Sequence, residues 1–128
     1  MGQYFKLVNL DKREVVTPWE LGGVAKFWEW VYNRETRVFP WLLRRSDGDG
    51  GGDIDADERE RYQTLGRWVG DRIVLIGDYD SSRLYQEASN EDDDGNVMDS
   101  GEYTDISKLL RQEFNEAIVR DGCPDEQL

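Results

Sequence analysis

Hydrophobic and polar positions alternate over Gln3–Val8 and again over Arg13–Thr17, on either side of the turn-forming run Asn9-Leu10-Asp11-Lys12. A period of two predicts strands, so these segments form an antiparallel hairpin, with Phe5 and Leu7 on one face and Tyr4, Lys6 and Val8 on the other. Pro18 ends the second strand. Beyond Gly22-Gly23 the period changes. Val24, Phe27, Trp28, Val31 and Tyr32 recur at i, i+3, i+4, i+7 and i+8, the spacing of a helix whose apolar side faces the core. Phe39–Arg45 reads as a second short helix, with Pro40 tolerated in its first turn. A Gly/Asp-rich stretch follows. Tyr62, Leu65, Trp68 and Val69 then predict a helix over Ala56–Val69, interrupted in composition by Gly66. Arg72–Ile76 is a short β-branched strand that leaves through Gly77–Ser82, and Ser81 or Ser82 caps a brief helix at Arg83–Ala88. The last element is a helix from Asp105 to about Arg120, capped by Thr104 or Asp105. It carries Ile106, Leu109, Leu110, Phe114, Ala117 and Ile118 on one side and is stopped by Gly122.

These elements predict an α+β fold: a small antiparallel sheet, the N-terminal hairpin plus one later strand, packed with three or four helices. The chain's 128 residues suit one domain, residues 1–122, with 123–128 as a frayed tail. No internal repeat stands out. Five tryptophans, Trp19, Trp28, Trp30, Trp41 and Trp68, are many for this length. They read first as large side chains filling a small core. A sharper reading makes Trp19 and Trp30 an aromatic binding surface, because Trp30 falls off the apolar stripe. No apolar run approaches the length of a membrane span and no basic-then-apolar segment opens the chain, so a cytoplasmic, membrane-free protein is expected.

The formal net charge of −12 is concentrated. Residues 46–58 hold six acidic residues and residues 87–105 hold eight, with no basic residue in either block. Those −14 charges, set against −12 overall, leave +2 for the rest of the chain. Without a basic face, nucleic acid is excluded as an expected ligand, and the acidic blocks point instead to a basic protein surface. The chain contains no histidine and a single cysteine, Cys123. Serine–histidine and cysteine–histidine catalysis, thiolate clusters and an internal disulfide are therefore excluded, and the chain is expected not to be an enzyme.

The most specific local pattern is Asp47–Glu58, DGDGGGDIDADE. Counted from one, it places carboxylates at positions 1 (Asp47), 3 (Asp49), 9 (Asp55) and 12 (Glu58), glycine at 6 (Gly52) and an aliphatic residue at 8 (Ile54). The segment resembles the calcium loop of the EF-hand family. In that pattern the ion takes hard oxygens, a bidentate carboxylate comes from position 12, and the position-7 carbonyl, here Asp53, is a ligand whatever its side chain. Glycine at 6 allows the left-handed turn that wraps the loop. Asp47, Asp49, Asp53, Asp55 and Glu58 are thus the expected calcium ligands, with predicted helices on both flanks. Position 5 is Gly51, which offers no side-chain oxygen, so water or Asp53 would substitute there. A second, degenerate copy begins at Asn90 and runs through Asp92, Asp94, Gly95, Asn96 and Val97. It reaches Gly101 at position 12, and Glu102 arrives one residue late.

Asp78 and Asp80, two residues apart beyond the strand Ile73–Ile76, resemble the opening Asp-x-Asp of haloacid-dehalogenase-like phosphatases. Gly77 interrupts that pattern and too little chain follows for such a fold, so the pair reads as a strand-exit turn. Finally, Gly2–Glu14, Gly70–Val74 and Gly77–Asp80 together are similar to small uncharacterised proteins of bacteria and their phages. That similarity implies that the hairpin and the exit turn form one module, and it implies no activity. The resulting expectation is a small acidic calcium-binding protein. The alternative is a protein-interaction module or inhibitor from a mobile element that sets its acidic blocks against a basic partner.

Overall fold

A computed structural model describes residues 2–48, 51–52, 54, 56–91, 94–96 and 101–128, residue 56 through its backbone only. The fold is α+β. β1 (Phe5–Asn9) and β2 (Glu14–Val16) form the expected hairpin, pairing Leu7 with Val16 and Val8 with Val15. β3 (Ile73–Gly77) lies antiparallel on the other side of β1, from Phe5 opposite Gly77 to Asn9 opposite Ile73. The sheet is larger than expected, because Thr104–Asp105 (β4) adds to β2 in parallel and the strand order becomes β3-β1-β2-β4. This edge pairing is completed by Thr104 N–H donating to the Arg13 carbonyl and Ile106 N–H to that of Val15.

Both faces of the sheet are covered. Leu7 and Val16 enter the main core with Leu21, Trp30, Val38, Leu42, Trp68, Leu110 and Phe114, while Val8, Val15, Ile76 and Ala88 form a smaller cluster on the opposite side. Alternation therefore sorts the hairpin residues correctly by face, and buried residues line both faces of the hairpin. Lys6, on the second face, is buried, donates to Ser89 Oγ and lies 4.8 Å from the Tyr85 ring centroid. Burial lowers its pKa, opposed by the nearby carboxylates of Asp105 and Glu91.

The main core is roofed by α1 (Phe27–Tyr32), α2 (Val38–Leu43) and the long α5 (Ser107–Arg120), α4 (Leu84–Ala88) packs near β1 and β3, and the short α3 (Ala56–Arg61) precedes the core residue Tyr62. α5 starts at Ser107 and follows most of its apolar stripe: Leu110 and Phe114 are buried while Leu109 is exposed, Asp105 Oδ1 accepts from Ser107 N–H at 2.9 Å, and Gly122 leaves the helix at φ +87°. Ser82 Oγ accepts from Leu84 N–H at 3.2 Å, but α4 starts one residue later than expected and Arg83, left-handed at φ +63°, takes the cap position instead of a serine.

Three departures change the picture. The helix expected over Ala56–Val69 stops at Arg61. Two buried carboxylates from distant elements hold the segment beyond it, one through its backbone amides and the other through side chains. Glu113 of α5 accepts from the amides of Gln63 (2.9 Å) and Thr64 (2.8 Å) and from the Thr64 hydroxyl, to which Trp41 Nε1 also donates. Glu14 of β2 accepts from Arg67 and from Trp68 Nε1. Gly66 turns the chain at φ +67°, where a β-carbon would lie 2.6 Å from the Arg44 carbonyl.

The second departure is at the C-terminus. Residues 123–128 are docked: Leu128 exchanges hydrogen bonds with Asn115, its carbonyl accepts from Arg111, and Glu126 pairs with Arg37. The third is α1, which turns its predicted inner face outward.

Candidate functional site

α1 is only six residues long and all but Glu29 are apolar. Lys26 is extended before it, and Glu29 Oε1 accepts from the Lys26 amide at 3.1 Å, which sets the rotation of the helix. That rotation buries Trp30, 1% exposed, whose Nε1 donates to the Phe5 carbonyl (3.1 Å) and whose ring stacks on Phe39 at 5.9 Å. The predicted stripe then points to solvent. Phe27, Val31 and Val24 are exposed, Trp28 is 63% exposed and Tyr32 77%. Of the two tryptophans singled out as a binding surface, Trp19 is exposed at 48% and Trp30 belongs to the core.

The exposed rings are not scattered. Phe27 lies edge-on to Trp28 at 5.2 Å, Trp28 stacks on Tyr32 at 6.0 Å, and Phe27 reaches back to Phe5 at 5.8 Å. Next to Phe5 in sequence, Tyr4 meets Trp19 at 6.1 Å. A line of mutually supporting aromatic side chains with little conformational freedom is the usual make-up of a protein contact surface, since the rings lose little entropy when covered. A trace of this was available in the sequence. The run FWEWVY has more apolar positions than one side of a surface helix can bury.

The expected metal loop is only partly described. α2 and α3 flank it, as a helix–loop–helix arrangement requires. Gly52 adopts φ +86°, the left-handed turn expected of position 6, and Ile54 is half-buried against the main core, as expected of position 8. The loop is closed at its base by Arg59, which donates to the Ser46 carbonyl at 3.1 Å. Asp47 is exposed and Glu58 half-buried, while Asp49, Asp53 and Asp55 lie outside the described residues. Among the described residues, no three acidic or cysteine side chains converge as a metal-binding group.

In the second acidic block, Asp92 and Val97 also lie outside the described residues. Asn90 has another task there: its amide donates to the Tyr103 carbonyl and accepts from the Tyr103 N–H, clasping the two ends of the block. Asp78 and Asp80 behave as turn residues. Asp78 Oδ1 accepts from Tyr4 N–H at 2.9 Å, and Asp80 is held by the hydroxyl and amide of Ser82, which lower its pKa.

No protein-family model matches the chain, and no curated protein or solved structure matches it. No helix among the described residues is long and apolar enough to cross a membrane.

Proposed function

We propose that this chain is a protein-interaction module that docks a basic, partly apolar partner surface on the aromatic face of α1. The observation that carries the proposal is the outward stripe of Phe27, Trp28, Val31 and Tyr32. Exposing such a cluster to water is unfavourable, and covering it lowers the free energy. The net charge of −12 selects the partner. Two copies of this chain repel one another, whereas a cationic partner is drawn in and oriented before the rings are covered.

The test uses a synthetic lysine–leucine amphipathic helix as probe and follows tryptophan emission. A saturable blue shift is expected, weakened by added salt. It should be weakened at least about tenfold by Trp28→Ser with Tyr32→Ser, since each covered ring contributes roughly 1 kcal/mol or more. Unchanged binding by the double variant would remove the aromatic face from the proposal.

Calcium binding at residues 47–58 is a second reading, supported by the left-handed Gly52 and the inward Ile54 between two helices. Asp47 and Glu58, with Asp49, Asp53 and Asp55, would hold the ion, which would neutralise a self-repelling loop and tie α2 to α3. A ligand bound only by the folded state adds about 3 kcal/mol at a hundredfold excess over Kd. Calcium should therefore raise the melting temperature of the wild-type chain and not that of Glu58→Gln. Equal melting with calcium and with chelator would dismiss this reading.

A further inference from the structure

Glu14 and Glu113 are buried and fully engaged; Glu35 is buried and is not. It sits in the 3-10 turn Arg34–Arg37 with 2% exposure, and its Oε1 has no hydrogen-bond partner. Its carboxylate lies directly against Gly23: a β-carbon there would fall 2.3–2.6 Å from Cδ and both oxygens. Arg34 and Arg37 of the same turn, and Arg111, bond elsewhere. Arg34 donates to the Asp125 carbonyl at 2.8 Å, Arg37 pairs with Glu126, and Arg111, whose guanidinium passes beside Gly22, donates to the Leu128 carbonyl at 3.0 Å. The C-terminal residues thus hold all three arginines.

Glu35 also borders a surface cleft of about 280 Å³, together with Gly22, Gly23, Val24, Asn33 and Arg34. Val24 is also part of the outward apolar stripe, and Asn33 directly follows Tyr32. An acceptor shielded from water at the edge of a contact surface is a socket for a donor supplied by something else.

We propose that this cleft receives an arginine side chain of the partner protein, its guanidinium on the Glu35 carboxylate and its aliphatic stem along Val24. This rests on the reading of the chain as a module for a basic partner. Arginine is chosen over lysine for two reasons. The planar fork can address both carboxylate oxygens, and guanidinium is the more weakly hydrated cation, so less is lost when it enters a closed site. Gly23 is the positional requirement, because any side chain there would displace the carboxylate.

The full chain, labelled with nitrogen-15, is titrated with N-acetyl-arginine amide and separately with N-acetyl-citrulline amide, its uncharged isostere. Saturable shifts are expected at the amides of Gly22, Gly23, Asn33 and Glu35, with citrulline at least about tenfold weaker. Glu35→Gln should abolish the arginine response, and Gly23→Ala should weaken it. Equal response to arginine and citrulline would overturn the proposal. So would shifts confined to the acidic blocks 46–58 and 87–105, or a Glu35→Gln chain that responds like the wild type. The arginine–citrulline contrast needs only the wild-type chain, so it decides the matter even if a variant fails to fold. Loss of the arginine response while the lysine–leucine helix still binds through Trp28 would sink the socket alone and leave the aromatic face standing.

Discussion

The rotation of α1 can be tested by truncating its two tryptophans separately. Trp30 is 1% exposed and donates to the Phe5 carbonyl. A buried tryptophan removes about 200 Å² from water. At about 25 cal/mol per Å² that burial is worth about 5 kcal/mol. The indole hydrogen bond adds about 1 kcal/mol, and its loss leaves a carbonyl unsatisfied. Partial relaxation around the cavity brings the expected cost of Trp30→Ala to about 3–5 kcal/mol. Trp28 is 63% exposed, so the same arithmetic covers only its buried third and gives at most about 2 kcal/mol. An exposed ring has neighbours free to adjust, so Trp28→Ala should cost less than about 1 kcal/mol. Urea denaturation followed by far-ultraviolet circular dichroism measures both without relying on indole fluorescence. Trp28→Ala costing as much as Trp30→Ala would show that the stripe faces inward, and both the docking surface and its partner would go with it.

Two further outcomes follow from buried or paired carboxylates. Glu113→Ala strands the amides of Gln63 and Thr64 and should destabilise the fold by about 3 kcal/mol or more in the same urea titration, with Glu113→Gln falling between it and the wild type; a cost below about 1 kcal/mol would mean that water replaces the carboxylate. Beside the hairpin turn, Asp11 is held by the amide and guanidinium of Arg72, and Asp71 by Lys12 and Asn9; both pKa values are lowered. A carboxyl whose folded pKa lies below its unfolded one stabilises the fold fully above the unfolded value and loses that contribution as pH falls through the folded one. The melting temperature should therefore hold steady from neutrality down to about pH 5 and fall below about pH 4, and Asp71→Asn should flatten part of that acid limb. An unchanged limb in the variant would show that the Asp71 contacts contribute nothing.

What the sequence made legible follows the range of the forces involved. α5 could be read because an apolar stripe over fourteen residues and the stop at Gly122 agree, although Ile106 and not Thr104 or Asp105 takes the cap position. The hairpin could be read because alternation and turn residues are local. β4 could not: Thr104–Asp105 carries no strand pattern and exists only because the edge of β2 offers its backbone groups. The end of α3 was hidden for a similar reason, since the acceptors that claim Gln63 and Thr64 lie on α5, far along the chain. For α1 the periodicity was present, but it could not say which side faces in. The candidate ligands Asp47 and Glu58 lie on the expected loop and helix start. The buried Glu35 has no signature in the sequence that distinguishes it from an exposed glutamate.

Glu14 and Glu113 grip the same short segment from opposite directions, one reaching from the sheet and the other from the longest helix. Neither grip can be released without stripping a charged group of its donors in a dry interior. The segment therefore acts as a rivet between the two layers, and sheet and helix should come apart in one step. Exchange of the Thr64 amide with solvent would then report the opening of the entire molecule.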